Sequence, residues 1–252
     1  MSDVSDRALD YWASRTPWSW GSYEEMRKGR YDLHDYLSST FELDKFRGKK
    51  VLSIGCGAGI DEIEMARNGA RVWATDPSDQ ARLLASKNSL EAEVLMEIGS
   101  QDATKLTYSN GSFDHIHAFG VLHHIPKVND ALQELHRVLK KDGTVYAMLY
   151  HRDSLLYYYS ILYLRGVKQG WFAKGLTEQE VLSRFSEGKE GCPYTVAYTG
   201  AEANALFKFN GFAPISASIH YNVVDELEQR KVKFVGPPEL GWHLVVKAVK
   251  AK

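Results

Sequence analysis

The chain has 252 residues, 25% charged and 44% apolar, which suits one large α/β domain, or a domain with an embedded cap, around a sizeable buried core. Lys plus Arg (31) nearly balances Asp plus Glu (32), which argues against a nucleic-acid backbone as main partner, because phosphate binding favours a basic excess. Two cysteines, Cys56 and Cys192, suggest neither a disulfide framework nor a zinc cluster, so reduced thiols and no metal are expected. The polar, acidic start (Met1-Ser2-Asp3) and the lack of any apolar run near the ~20 residues of a spanning helix predict a cytoplasmic protein that does not enter a membrane.

In chain order, residues 1–46 form a leading segment in which Ser22 and Glu25 make a capping box for a helix through Tyr36. A core over 47–150 then alternates short apolar runs with helices, the pattern of a parallel sheet covered on both faces. Its strands are Val51–Gly55, Arg71–Thr75, a third near Ala92–Ile98, Phe113–Phe119 and Thr144–Tyr150. Helices fall at about Asp61–Asn68, ended by Gly69, at Ser78–Leu90 and at Val128–Leu139; Ser109-Asn110-Gly111-Ser112 and Asp142-Gly143 are turns. An aromatic-rich insert over 151–199 carries its own helical stretch, and Thr199 with Glu202 starts the next helix. Over 200–252, the stretch Ile215–Tyr221 and the run Trp242–Val246 are joined without a long helix and should be antiparallel neighbours at one sheet edge. The fold expected is a Rossmann-like three-layer α/β sandwich. Its sheet is seven-stranded and mostly parallel with an antiparallel edge strand, all within one domain capped by the leading and inserted segments over the strand ends where open sheets place ligands.

The densest signal is Ser53-Ile54-Gly55-Cys56-Gly57-Ala58-Gly59, three alternating glycines where a strand ends and a helix begins. Glycines there admit backbone angles closed to other residues and let a ligand approach the main chain. Asp76 ends the next strand, 21 residues after Gly55, which puts a carboxylate beside the turn where it can accept both ribose hydroxyls; with Pro77 and Ser78 following, a helix cap is the structural alternative. The spacing is G-x-G-x-G, not the G-x-G-x-x-G of a dinucleotide site, and Asp61 and Glu62 after it would repel a pyrophosphate. S-adenosylmethionine (SAM) has no phosphate and carries a cationic sulfonium.

Residues from about Lys50 to Tyr150 resemble a class I SAM-dependent methyltransferase, in the broad group that includes the ubiquinone and menaquinone C-methyltransferases. The resemblance implies that Gly55, Cys56, Gly57 and Gly59 wrap the methionine part of SAM and that Asp76, with Pro77, takes the ribose. It implies that Gln101-Asp102-Ala103 meets the adenine through Asp102, and that Phe119-Gly120-Val121-Leu122-His123-His124 borders the methyl group. The family has Glu or Asp two residues before the first glycine, steadying the amino-acid end of SAM; this chain has Ser53.

A general base is needed where the acceptor carries a proton, and His123, His124 and His151 are the imidazoles nearest the strand ends. Structural contacts in the helix-start loop are the other role open to His123 and His124. Tyr150, Tyr159, Tyr194 and Tyr198 are candidate pocket walls, Tyr159 and Tyr163 sharing a helix face, unless that helix only packs. The leading segment offers Tyr23 and an aromatic set including Trp12, Trp18 and Trp20, with Arg27 and Arg30 placed to meet a carboxylate. These residues predict a methyltransferase for an oxygen or nitrogen of a small-molecule acceptor, acting as monomer or homodimer. The rival readings are a nucleotide-dependent oxidoreductase, a non-catalytic SAM-binding protein and a macromolecular methyltransferase.

Overall fold

Three helices precede the first strand in the computed structural model, which describes residues 3–15, 21–187, 191–226 and 230–251; Trp18 and Trp20 lie outside the described residues. The helices are α1 (Val4–Ala13), α2 (Tyr23–Leu33) and α3 (Leu37–Phe41). The Ser22–Glu25 capping box starts α2, with the Glu25 carboxylate accepting the Ser22 N–H at 2.7 Å. The helix ends before Tyr36 because His34 leaves helical geometry at φ −121° and ψ 64°.

The alternating core follows as β1 (Lys50–Ile54), α4 (Ile60–Arg67), β2 (Arg71–Thr75), α5 (Asp79–Glu91), β3 (Glu97–Gly99), β4 (Phe113–Phe119), a 3₁₀ turn at Leu122–His124, α6 (Val128–Val138) and β5 (Leu139–His151). Two elements differ from expectation. The helix α5 runs to Glu91 and Glu93 turns left-handed (φ 57°), so only Glu97–Gly99 remains to pair with β2. The left-handed Asp142 (φ 60°) and Gly143 lie within β5, where the register with β4 shifts between Phe113 and His115; they bend a strand and do not precede it.

After β5 come a π-helix (Leu156–Lys168), α7 (Glu178–Phe185), β6 (Ala197–Tyr198), α8 (Gly200–Phe209), β7 (Phe212–His220), β8 (Val223–Glu226), β9 (Arg230–Lys233) and β10 (His243–Lys250). The sheet order is β3-β2-β1-β4-β5-β10-β7, with the two-residue β6 paired to the end of β5 as an eighth strand. The fold class is as expected, and β7 and β10 are antiparallel neighbours at one edge. The antiparallel strand β10 lies one place in from that edge, and β7 is outermost.

Strand alternation feeds two apolar layers. Leu52, Ile54, Ile116, Leu244 and Val246 pack with Leu132 and Leu135 of α6 and Phe207 of α8. Val51, Val72 and Val245 face the other side, with Phe41 of α3 and Met65 of α4. The insert joins that second layer through Leu156, Tyr157 and Ile161 of the π-helix and Val181, Leu182 and Phe185 of α7. Among the described residues, no helix is long and apolar enough to cross a membrane.

Candidate active site

All three glycines of the β1–α4 turn have positive φ: 66° at Gly55, 54° at Gly57 and 76° at Gly59. A side chain would meet different things at each. A Cβ on Gly55 would lie 2.3 Å from Val121 Cγ2, and one on Gly59 would lie 3.0 Å from Ala85 Cβ of α5. At Gly57 nothing stands within 4 Å, so this glycine faces open space. Two glycines therefore allow close packing of loop and helix, and the third keeps a cavity open.

Asp76, beyond β2, reaches back to this turn. Its Oδ2 accepts the Gly57 N–H at 3.0 Å and its Oδ1 accepts the Ser78 N–H at 2.9 Å. The cap of α5 is Ser78, whose Oγ accepts the Ala81 N–H, so Asp76 is spared that task. Burial raises the Asp76 carboxyl pKa, opposed by these two N–H bonds. Further along, Asp102 Oδ1 accepts both the N–H and the hydroxyl of Thr104 at 2.8 Å, which fixes the carboxylate at the rim.

These residues line one cavity of about 380 Å³ over the ends of β1, β2 and β4. Its walls include Gly55, Gly57, Thr75, Asp76, Pro77, Ser78, Gln101, Asp102, Ala103, Gly120 and Val121, and α1 covers it with Ala8, Leu9, Tyr11 and Trp12. Ser78 Oγ donates to the Arg15 carbonyl at 2.6 Å, which ties the end of this cover to the start of α5. Four carboxyl groups (Asp6, Asp76, Asp102, Glu187) line the cavity against three basic groups, Arg15, Lys127 and His124. An acidic wall favours a cationic ligand over a diphosphate. The open face at Gly57 and a carboxylate with free lone pairs at Asp76 fit an adenosyl group with a sulfonium. Asp61 and Glu62, expected to bear on this choice, do not line the cavity: Asp61 is ion-paired to Arg30, and Glu62 is buried against Ser53.

The same cavity is lined by His124 and Glu187, with the His124 Nε2 3.3 Å from Glu187 Oε1. The Tyr150 hydroxyl donates to the same carboxylate oxygen. On the other side of the ring, Nδ1 lies 3.3 Å from the Tyr194 carbonyl and 3.1 Å from Thr195 Oγ1. Burial alone would lower the His124 pKa, but the Glu187 carboxylate outweighs it and the value rises to about 9. Trp12 of α1 packs over this imidazole with ring centroids 4.5 Å apart. His123, stacked on Tyr150 at 3.8 Å, is fully buried and outside the cavity lining; burial, then the neighbouring His124 charge, keeps it neutral by pulling its pKa well down. The ligand atoms of His123, His124 and Glu187 all lie within 4.8 Å of one another.

Other residues singled out in the sequence serve elsewhere. His151 is buried with Nδ1 3.0 Å from the Gly241 carbonyl, pinning β5 to the loop before β10. Cys56 is buried in the core behind the turn, Gly59 begins α4 against α5, and Phe119 packs on Phe41, so none of the three lines the cavity. Tyr23 and Arg27 do not line this cavity: Tyr23 Oη donates to Glu64 at 2.9 Å and Arg27 Nε at 2.8 Å, fastening α2 to α4. Tyr159 and Tyr163 stack on each other, 6.0 Å apart, on the outer side of the π-helix, 41% and 51% exposed, instead of facing a pocket. Tyr150 and Tyr194 contribute behind the cavity, through Glu187 and the His124 ring, and Tyr198 pairs with the end of β5. Glu187 went unnoticed in the sequence, where only a flanking run of polar residues and glycines surrounds it.

Comparison with known proteins agrees with this geometry. Residues 52–147 match the family model described as a methyltransferase domain. A ubiquinone biosynthesis O-methyltransferase of Ralstonia nicotianae is 33% identical over 129 residues, 51% of this chain and 53% of the relative. Its counterpart in Pseudomonas syringae pv. tomato is 30% identical over 145 residues, 57% of this chain and 62% of the relative. The chain thus spans about half the length of the curated relatives it matches. Among solved structures, a SAM-dependent methyltransferase of Methanosarcina mazei superposes with a TM-score of 0.62 at 21% identity, covering 87% of this chain and 97% of that one. The magnesium protoporphyrin IX methyltransferase of Synechocystis, solved with bound SAM, gives 0.60 at 15% identity over 100% and 99% of the two chains.

Proposed function

We infer that this chain, which carries a methyltransferase domain over residues 52–147 on a class I SAM-dependent methyltransferase fold, binds SAM in the cavity beneath α1 and methylates a hydroxyl oxygen of a small-molecule acceptor. The observation that carries the reading is one cavity lined by Asp76 and Asp102 as well as by the His124–Glu187 pair. Bound SAM supplies an electrophilic methyl carbon on a sulfonium. Asp76 would hold the ribose hydroxyls, Asp102 the adenine amino group, and the Gly55–Gly57 backbone the methionine end.

A hydroxyl is a poor nucleophile until it loses its proton, so the acceptor half needs a base within reach. His124 fits that role because Tyr194 and Thr195 fix its Nδ1 side and leave Nε2 toward Glu187 and the cavity. Glu187 orients the ring and stabilises the imidazolium once the proton has moved, while Tyr150 holds Glu187. Trp12 and Leu9 from α1 exclude water and position the acceptor, from which much of the rate would come.

The reading is tested by offering isotopically labelled SAM with matched hydroxyl and amine acceptors and recording kcat/KM from pH 6 to 10. The rate on the hydroxyl should climb toward a plateau near pH 9, where His124 becomes neutral, and His124→Ala should flatten the climb and lower the rate ~10²–10⁴-fold. Turnover confined to amines, or a rate indifferent to both pH and His124, would refute oxygen transfer through this base.

A further inference from the structure

The family places a carboxylate two residues before the first glycine, and this chain has Ser53 there, fully buried on β1. The charge is nevertheless present nearby. Glu62, in the first turn of α4, turns its side chain back onto the strand, and its Oε1 accepts the Ser53 hydroxyl at 2.5 Å. A carboxylate carried by residue 53 itself would extend just past the position of that hydroxyl, into the space the Glu62 carboxylate now fills.

The two acids of this turn are treated differently by their neighbours. Asp61 has a full set of partners: both Arg30 guanidinium contacts (3.2 and 2.5 Å), the Tyr31 hydroxyl at 3.2 Å and His117 Nε2 at 3.4 Å. Glu62 is 2% exposed, and among the described residues its Oε2 has no hydrogen-bond partner. A buried carboxylate oxygen left unpaired is costly, and such a group in a folded protein calls for a partner that arrives later. Burial raises its carboxyl pKa, opposed by the neighbouring His117 and reinforced by the Asp61 charge, so a cation brought close to it would stabilise the ionised form. The Gly55 backbone, two residues from Ser53, lines the cavity, so Glu62 stands behind the part of the wall that faces the amino-acid end of the cofactor.

Resting on the reading that this cavity binds SAM, we propose that Glu62 is a positioning residue for the cofactor: from α4 it supplies the negative charge that the family carries at the position of Ser53, and it holds the α-ammonium of SAM through the glycine turn. The Ser53 hydroxyl orients the carboxylate and takes no charge itself. Strand and helix have thus exchanged a single function, with the acid moved nine residues along the chain.

The test compares two ligands by calorimetry: S-adenosylhomocysteine, which has the ammonium, and 5′-methylthioadenosine, which lacks the amino-acid tail. Glu62→Gln, which keeps the Ser53 bond and removes the charge, should weaken S-adenosylhomocysteine at least tenfold and leave 5′-methylthioadenosine within twofold. Adding Ser53→Asp to that variant should restore most of the loss. Unchanged affinity for S-adenosylhomocysteine would overturn the proposal, and so would a parallel loss for both ligands, which would mean that the turn itself had been damaged. If Glu62→Gln does not fold, the double variants S53D/E62Q and S53N/E62Q differ in charge alone, and equal S-adenosylhomocysteine affinities in that pair overturn it equally.

Discussion

The place of Asp76 beside the glycine turn is legible from the sequence because it depends on local spacing: the strand after such a turn brings the residue following its end alongside that turn. Replacing it with alanine removes the acceptor of the Gly57 and Ser78 amides as well as any ribose contact. Charge-assisted bonds of this kind contribute ~1.5–3 kcal/mol, so Asp76→Ala should weaken S-adenosylhomocysteine roughly 10- to 100-fold, read by calorimetry. Glu187 lies at the other extreme. Its partner His124 is 63 residues earlier, and nothing local marks either as half of a pair. The bonds of Tyr23 and Arg27 to Glu64 are invisible in the sequence for the same reason, since that partner is reached only through the packing of α2 on α4. The His124–Glu187 pair also has a sign in stability. Because the folded pKa lies near 9, above the ordinary value of 6.5, its contribution is complete below about pH 6.5 and is lost as pH rises through 9. Urea midpoints of the wild type should therefore fall over that window, and Glu187→Gln should flatten the fall; an identical slope in both would separate the pair from stability.

At the scale of elements, the sequence marks beginnings better than ends and shapes. Ser22 with Glu25 and Thr199 with Glu202 both form the reciprocal caps that their spacing announces. The helix in the insert was legible as a helix, but its π form was not, because apolar spacing alone does not fix the hydrogen-bond step. The short β3 was overextended for a similar reason: an apolar run after Leu90 gives no sign that Glu93 turns left-handed. Thr199→Ala should cost about 1 kcal/mol in urea unfolding, since it removes the bond to the Glu202 N–H. The glycine turn gives a sharper contrast. Gly55→Ala forces a left-handed alanine against Val121, so it should lower the melting temperature and weaken cofactor binding together. Gly57→Ala has the left-handed strain but no clash, so its stability loss should be smaller while its methyl group projects into the cavity and blocks the ligand. Equal losses of stability in the two variants would contradict this division of labour.

At the scale of the whole molecule, the order of strands could not be read from local pattern, because pairing joins residues about a hundred positions apart. The last strand, β10, inserts between β5 and β7, so the sheet is incomplete until the C-terminal residues arrive. It pairs with β5 from His243–Tyr150 to Val249–Thr144, and Leu244, Val245, Val246 and Ala248 are all buried, serving both apolar layers. Trp242, at its head, is fully buried and stacks on Tyr150 at 4.3 Å, and Tyr150 in turn holds Glu187. The closing strand therefore supports the His124–Glu187 pair of the cavity wall as well as the core. Trp242→Ala should cost ~3–5 kcal/mol, a large share of the 5–15 kcal/mol that holds a typical domain, and should loosen the His124–Glu187 pair before it unfolds the sheet. A chain ending at Leu240 has no such middle ground. It would leave β5 and β7 with unpaired edges and apolar faces open to water, and should show dye binding and aggregation with no cooperative melting transition. If that truncated chain still melted cooperatively and bound S-adenosylhomocysteine, the cofactor half would be an independent unit, and β10 would matter only to the acceptor half.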